Sequence, residues 1–308
     1  MNLRVLVATL AVATSAVIAP AAAQPKDHKF EFGKAADVEK VKTVEWHAQA
    51  EAGVVFTTGN SENTTVSGGL KADRKTGANK LSIEASLTYA QSGARVLNDL
   101  NGNGTIDDQS EITSIKATTA ETMAAKLRYD RFLTKHNSLF VAALASRDLP
   151  AGKEKVLGVQ VGYSRQLFKS KTSEAVAEIG YDFSNEDLVT GKSLAIHSAR
   201  GFLGYKAEMT EGANLDASLE ALTNLNKEDL QTEPTTGKDG GIGKDTRINS
   251  RIAIAAKIGK GLQVQTSIEV RYDHRPGPLA IANLAPGFVP EASALDTIMK
   301  ASFIYSFF

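Results

Sequence analysis

From Val44 to its last residue the chain repeats with a period of two. Apolar or small residues occupy every second position, with polar or charged ones between them. That pattern belongs to a strand with one greasy face and one wet face, and a helix does not keep it. It is clearest in the closing stretch, Leu295 to Phe308. Leu295, Thr297, Met299, Ala301, Phe303, Tyr305 and Phe307 share one phase, and Asp296, Lys300, Ser302 and Ser306 share the other. Ile298 and Ile304 break the polar phase. A soluble domain has little reason to end on its most aromatic strand. A membrane barrel places aromatics at the bilayer interface and uses its last strand to seal the open edge of the sheet.

The first residues stand outside this pattern. Arg4 is a short positive region, Val5 to Ala19 is an apolar run too short to span, and Ala21-Ala22-Ala23 reads as a cleavage site. We therefore expect residues 1–23 to be a cleaved signal peptide and Gln24 to begin a mature chain of formal charge −1. Residues 24–43 are polar and charged and read as a periplasmic lead-in, or alternatively as a segment tucked into the barrel.

Twelve alternating segments follow, separated by turn formers such as Thr58-Gly59-Asn60 and Lys75-Thr76-Gly77-Ala78-Asn79. The even number suits a bacterial single-chain barrel. The segment Ser138 to Ser146 is apolar on both phases, so its outer face cannot be assigned. Connections near Lys75, Arg131, Phe168, Thr210 and Gly259 are short. Those near Ser92 (to Thr118), Ser184, Asn224 and Asp273 read as long, and those at Gly59 and Asp148 as modest. Short periplasmic turns and longer outer loops produce that alternation. All seven tyrosines and Trp46 fall on the apolar phase near strand ends, as an aromatic girdle requires. A secreted β-sandwich would also alternate, but it accounts for neither the loop asymmetry nor the tyrosines. The expected fold is all-β: a transmembrane, up-and-down antiparallel barrel of about twelve strands over residues 44–308.

Three candidate sites emerge. Asp99, Asn101, Asn103, Thr105 and Asp107 match the first nine positions of a calcium loop, with Gly104 at the turn, but the twelfth position is Ser110 where a bidentate Glu belongs. The competing reading is a solvated loop of turn formers. On the wet phase, Glu178, Arg200, Glu220, Arg247, Arg251, Glu269 and Arg271 are expected to face the lumen. They would form either a transverse field that selects polar solutes or a salt-bridge network that fills the interior. Twelve strands lie between the filled eight-stranded barrels and the open porins, and we expect a filled or narrow lumen. An outer-membrane lipid-modifying enzyme is the third reading. The five histidines (28, 47, 136, 197 and 274) form neither a metal-spaced pair nor a triad motif, so no enzyme is expected. Cysteine is absent and the formal charge is zero, which provides no cysteine metal site and no basic surface for nucleic acid.

Phe56-Thr57-Thr58-Gly59-Asn60-Ser61, Leu127-Arg128-Tyr129-Asp130-Arg131-Phe132, Val161-Gly162-Tyr163 and the closing stretch from Leu295 to Phe307, in that order, resemble the salt-induced outer-membrane protein family. The Ser92–Thr118 loop and the extra Phe308 depart from its pattern. The resemblance implies a bacterial outer-membrane barrel with a link to salt or envelope stress, and no catalytic residues to carry over. It implies outer-membrane lipids and lipopolysaccharide as surroundings. Its likeness to outer-membrane proteins at large implies recognition by the barrel-assembly machinery through the C-terminal strand. The expected function is a structural or stress-related barrel, or a narrow diffusion channel for ions and small polar solutes. A calcium-binding surface barrel is the alternative, and no other cofactor is expected.

Overall fold

The computed structural model describes residues 44–57, 62–97, 105, 112–149, 151–227, 241–277 and 293–307. Residues 1–43 lie outside them, as does the calcium-like stretch apart from Thr105, which is exposed. The strands are β1 Glu45–Thr57, β2 Glu62–Thr76, β3 Asn79–Leu97, β4 Ile112–Phe132, β5 Asn137–Asp148, β6 Lys153–Lys169, β7 Ser173–Leu188, β8 Ser193–Thr210, β9 Ala213–Asn224, β10 Thr246–Lys257, β11 Leu262–Asp273 and β12 Leu295–Ser306. Each pairs antiparallel with its sequence neighbours, and β1 pairs with β12, so the sheet closes on itself in simple up-and-down order. The closing joint is registered over four positions, Gln49–Ser306 to Ala52–Phe303, and joining the first strand to the last is how a barrel removes the edges of its sheet.

The strand number agrees with the sequence pattern, and so do the short connections. Gly77-Ala78 and Glu211-Gly212 make two-residue hairpins at one end, with Gly77 and Gly212 at positive φ where a side chain would be strained. Two expectations need correction. The connection near Ser184 is not long: β7 continues to Leu188 and β8 begins at Ser193. The Ser92–Thr118 loop is shorter than expected, because β3 runs to Leu97 and β4 starts at Ile112, with a bulge at Ala90/Gln91. β-Branched Ile112 and Ile115 suit the strand past the point where polar residues enter both phases.

The wall has the two faces the alternation demands. Outward residues such as Leu70, Ile83, Leu127, Val159, Ile179, Leu203, Ile252 and Ile268 are exposed, with Ile179 at 68%. Inward ones such as Asp73, Lys126, Glu178, Arg200, Gln265 and Glu269 are buried. Near the short-turn end, Tyr129 donates to Asn79 Oδ1 at 2.7 Å and Tyr163 to Asn137 Oδ1 at 2.5 Å. Toward the opposite end, Tyr181 bonds His197, and Tyr272 bonds His274 Nδ1 at 3.1 Å. A ring with an apolar body and a bonded polar tip suits each boundary between oil and water.

β5, ambiguous in the sequence, is settled by its neighbours. Leu139 and Val141 face out, while Phe140 and Ala142 are buried inside. Phe140 sits opposite Gly162, which in turn sits opposite Gly180. A Cβ at Gly162 would lie 2.7 Å from the Phe140 ring and 2.5 Å from the carbonyl of Ile179. The missing side chain is what admits an aromatic ring to this side of the wall.

Candidate functional site

The interior is organised by ion pairs, several of which join strands that are not neighbours in the sheet. In the middle of the barrel, Glu178 on β7 accepts from Arg128 of β4 at 2.8 and 3.2 Å and from Arg200 of β8 at 2.8 Å. Arg128 also donates to Asp130 at 2.7–3.1 Å, and Arg200 bonds Glu220. The side chain of Glu178 has no solvent exposure. The Arg128 guanidinium lies 4.0 Å from the centre of the Phe140 ring, a cation–π contact on a desolvated face. Phe132, Val176 and Phe202 pack together as a small buried apolar cluster. Two carboxylates therefore flank each arginine, as a charge removed from water requires.

A second group crosses the lumen nearer the long-loop end. Arg247 on β10 donates to Glu186 on β7 at 2.5 Å. Lys153 on β6 lies 3.1 Å from Glu186 and 3.9 Å from Asp273 on β11. Arg247 approaches Asp245 and Asp273 at 3.5 and 3.7 Å. Asp148, Lys153, Glu186, Asp245 and Asp273 are all buried. These contacts tie β6 and β7 to β10 and β11 across the ring, so any route along the axis must pass beside them.

The remaining lumen residues named from the sequence take their places in the same scheme. Glu269 lies between Arg251 at 3.4 Å and Arg271 at 3.1 Å. Acidic and basic rows meet in pairs, which favours interior filling over a standing transverse field. Sequence reasoning did not single out Lys153, Glu186 or Asp148. Glu186 was placed in a loop, although Asp182, Ser184 and Glu186 continue the inward phase of β7. Phe140 was missed because its strand is apolar on both sides.

At the short-turn end the lumen widens into a vestibule of about 780 Å³, lined among others by Glu45, His47, Asp73, Lys75, Lys80 and Lys206. A smaller space of about 120 Å³ lies among Lys126, Gln160, Asp182, Glu220, Arg247 and Asn249. His136 faces Gln166 at 3.4 Å, and His197 and His274 bond Tyr181 and Tyr272. Among the described residues, no group of three or more His, Asp or Glu is arranged to hold a metal ion.

A family model described as "Protein of unknown function, DUF481" matches residues 50–307. No curated protein matches the chain significantly. Among solved structures, the NanC porin is similar at 10% identity, over 84% of this chain and 97% of that one, with a TM-score of 0.40. The translocator domain of the autotransporter NalP from Neisseria meningitidis is similar at 14% identity, over 88% and 91%, with a TM-score of 0.39. The outer-membrane protein OmpT of Vibrio cholerae is similar at 9% identity, over 86% and 99%, with a TM-score of 0.37.

Proposed function

We propose that this chain, which belongs to the DUF481 family, is a bacterial outer-membrane barrel that passes at most ions and small polar solutes through a lumen narrowed by its own ion pairs. Its bearing on the envelope is structural first, with the salt- or envelope-stress role that the family resemblance implies. The membrane reading rests on the outer wall. A belt of exposed Leu, Ile, Val and Met on the outer wall, with tyrosines toward both ends, far exceeds the apolar patches that soluble monomers show to water. Lipids and lipopolysaccharide surround such a belt. The aromatic end of β12 with the residue after it, Phe303 to Phe307, is the segment offered to the assembly machinery. The short-turn end, where β1 begins and β12 ends, faces the periplasm.

The observation that carries the conduction reading is the crossing of the lumen by Arg247–Glu186 and Lys153–Asp273. Planar-bilayer recording of the refolded chain tests it. We expect small steps from the native protein and larger ones from Glu186→Ala combined with Arg247→Ala. Wide porin-like steps from the native barrel would refute the narrowing, as would a double variant that conducts no more than its parent.

A further inference from the structure

The seam that closes the barrel is unlike its other joints. β1 and β12 are registered at only four positions, Gln49–Ser306 to Ala52–Phe303, whereas β1 and β2 are registered at thirteen and β11 and β12 at eleven. Continuing the ladder would pair Gly53 with Ser302, Val54 with Ala301 and Val55 with Lys300, and among the described residues none of these pairs is registered. β12 still passes close at Gly53, where an added Cβ would lie 3.0 Å from the carbonyl of Ala301. Above that point toward the long-loop end the two strands run on without a shared ladder.

In hydrocarbon an unpaired strand edge is costly, because no water satisfies its N–H and C=O groups. Two residues beside this edge are apolar on the inward phase without being fully buried there. Val55 lies on the inward phase yet is apolar and 50% exposed. Ile298 and Ile304 are the two interruptions in the polar phase of β12, and Ile298 is half-buried on the inward side. Just inside the seam, Glu51, Lys71, Arg251, Glu269, Lys300 and Ile304 line a space of about 80 Å³, with Lys300 paired to Glu51. Val55 and Ile298 thus lie along the unregistered part of the seam, and the charged space lies beside its registered part.

We propose that the unregistered part of the seam is a slot, a lateral opening which admits a membrane amphiphile. The acyl chain enters between β1 and β12 against Val55 and Ile298, and the polar group reaches the Lys300–Glu51 side of the lumen. An acyl chain suits the apolar Val55 and Ile298, and the charged space beside the registered part suits a polar head. The inference rests on the membrane location proposed above and not on conduction through the barrel.

Fluorescence quenching tests it. The chain, with Trp46→Phe, is refolded into phosphatidylcholine vesicles whose acyl chains carry bromine. A single tryptophan is placed by Val55→Trp in the slot, by Leu144→Trp on the inward side of the fully paired β5, or by Val141→Trp on the outer wall. We expect strong quenching at positions 141 and 55 and little at 144. A disulfide between Val54→Cys and Ala301→Cys, in a chain that has no cysteine of its own, should close the seam and remove the quenching at position 55 only. It should also form more slowly than one between Ala50→Cys and Tyr305→Cys, which are already in register. Should Val55→Trp fail to fold, Thr65→Trp on the facing position of β2 gives the same readout. Quenching at 141 with none beyond the level of 144 in the slot would overturn the inference. So would slot quenching that survives the disulfide, or cross-linking of positions 54 and 301 between two copies in preference to within one. Absence of quenching at 141 would overturn the membrane location and the inference with it.

Discussion

Replacing Glu178 by alanine removes a carboxylate that joins arginines of β4 and β8. Its side chain is fully buried and accepts three hydrogen bonds at 2.8–3.2 Å from Arg128 and Arg200. Deleting one partner of a buried ion pair costs about 3–5 kcal/mol, because the other charge stays buried without compensation. Here Arg128 keeps Asp130 and Arg200 keeps Glu220. The loss is therefore expected at the low end, about 3 kcal/mol, or roughly a hundredfold in the folding equilibrium. The assay is urea titration of folding into lipid vesicles, with heat-modifiable gel migration reporting the closed barrel. Arg147→Ala serves as the comparison. It breaks the Arg147–Glu121 pair on the outside, at 3.8 Å with both side chains at least a third exposed, where about 1 kcal/mol or less is at stake. If Glu178→Ala shifts the urea midpoint no more than Arg147→Ala does, the mid-barrel ion cluster is not a brace and the interior has been misread.

Other substitutions probe the same wall from different directions. Phe140→Ala should cost about 3–5 kcal/mol as a large-to-small core change, and Gly162→Ala should also destabilise by crowding the ring. In the double variant the two penalties should fall short of their sum, since the ring is part of what the new methyl meets; full additivity in urea titration would show that the two sites are uncoupled. Ile252→Arg places a charge midway along the outer face of β10 and should cost about 2–4 kcal/mol in lipid. Asn249→Arg on the same strand faces the lumen beside Glu220 and should be clearly milder. Equal losses in vesicle folding would mean the faces of β10 are assigned the wrong way round.

The wall was legible because its two solvents differ so sharply. Lipid on one side and water with charges on the other impose a period of two, and that period marks strands, phases and number without any knowledge of pairing. Legibility failed where the constraint relaxes. On β5 the inward residues are Phe140 and Ala142, and only the glycine at 162 on the neighbouring strand and the guanidinium of Arg128 above the ring explain why an apolar side chain faces in. On β7 the run Ser184-Asn185-Glu186-Asp187 is polar on both phases, so alternation alone cannot tell it from a loop. Lys153 and Glu186 were therefore overlooked, although they carry the lumen-crossing group. The cross-lumen partnerships lie deeper still. Alternation says that Glu178 points inward, but which arginines it meets depends on the curvature of the closed sheet.

The two ion-pair groups are not spread evenly around the ring, and that asymmetry has a dynamic consequence. Glu178 and Glu186 lie eight residues apart on the same phase of β7, so this one strand is tied to β4 and β8 at one level and to β10 and Lys153 of β6 at another. On the other side of the barrel, Lys71–Glu84, Lys80–Asp73 and Lys300–Glu51 join strands that are already neighbours. They add to the existing ladders without crossing the lumen. The short β1–β12 seam lies on that side. Local opening should follow the weakest joint, since regions with fewer ladder bonds open at lower free energy than the whole. Amide hydrogen exchange in lipid should therefore proceed first along Val54 to Thr57 and Leu295 to Ser302, and last along the centre of β7. The Val54→Cys/Ala301→Cys disulfide should slow the first set and leave β7 unchanged. Exchange in β7 as fast as in β1 would show that the ion pairs do not set the stiffness of the wall.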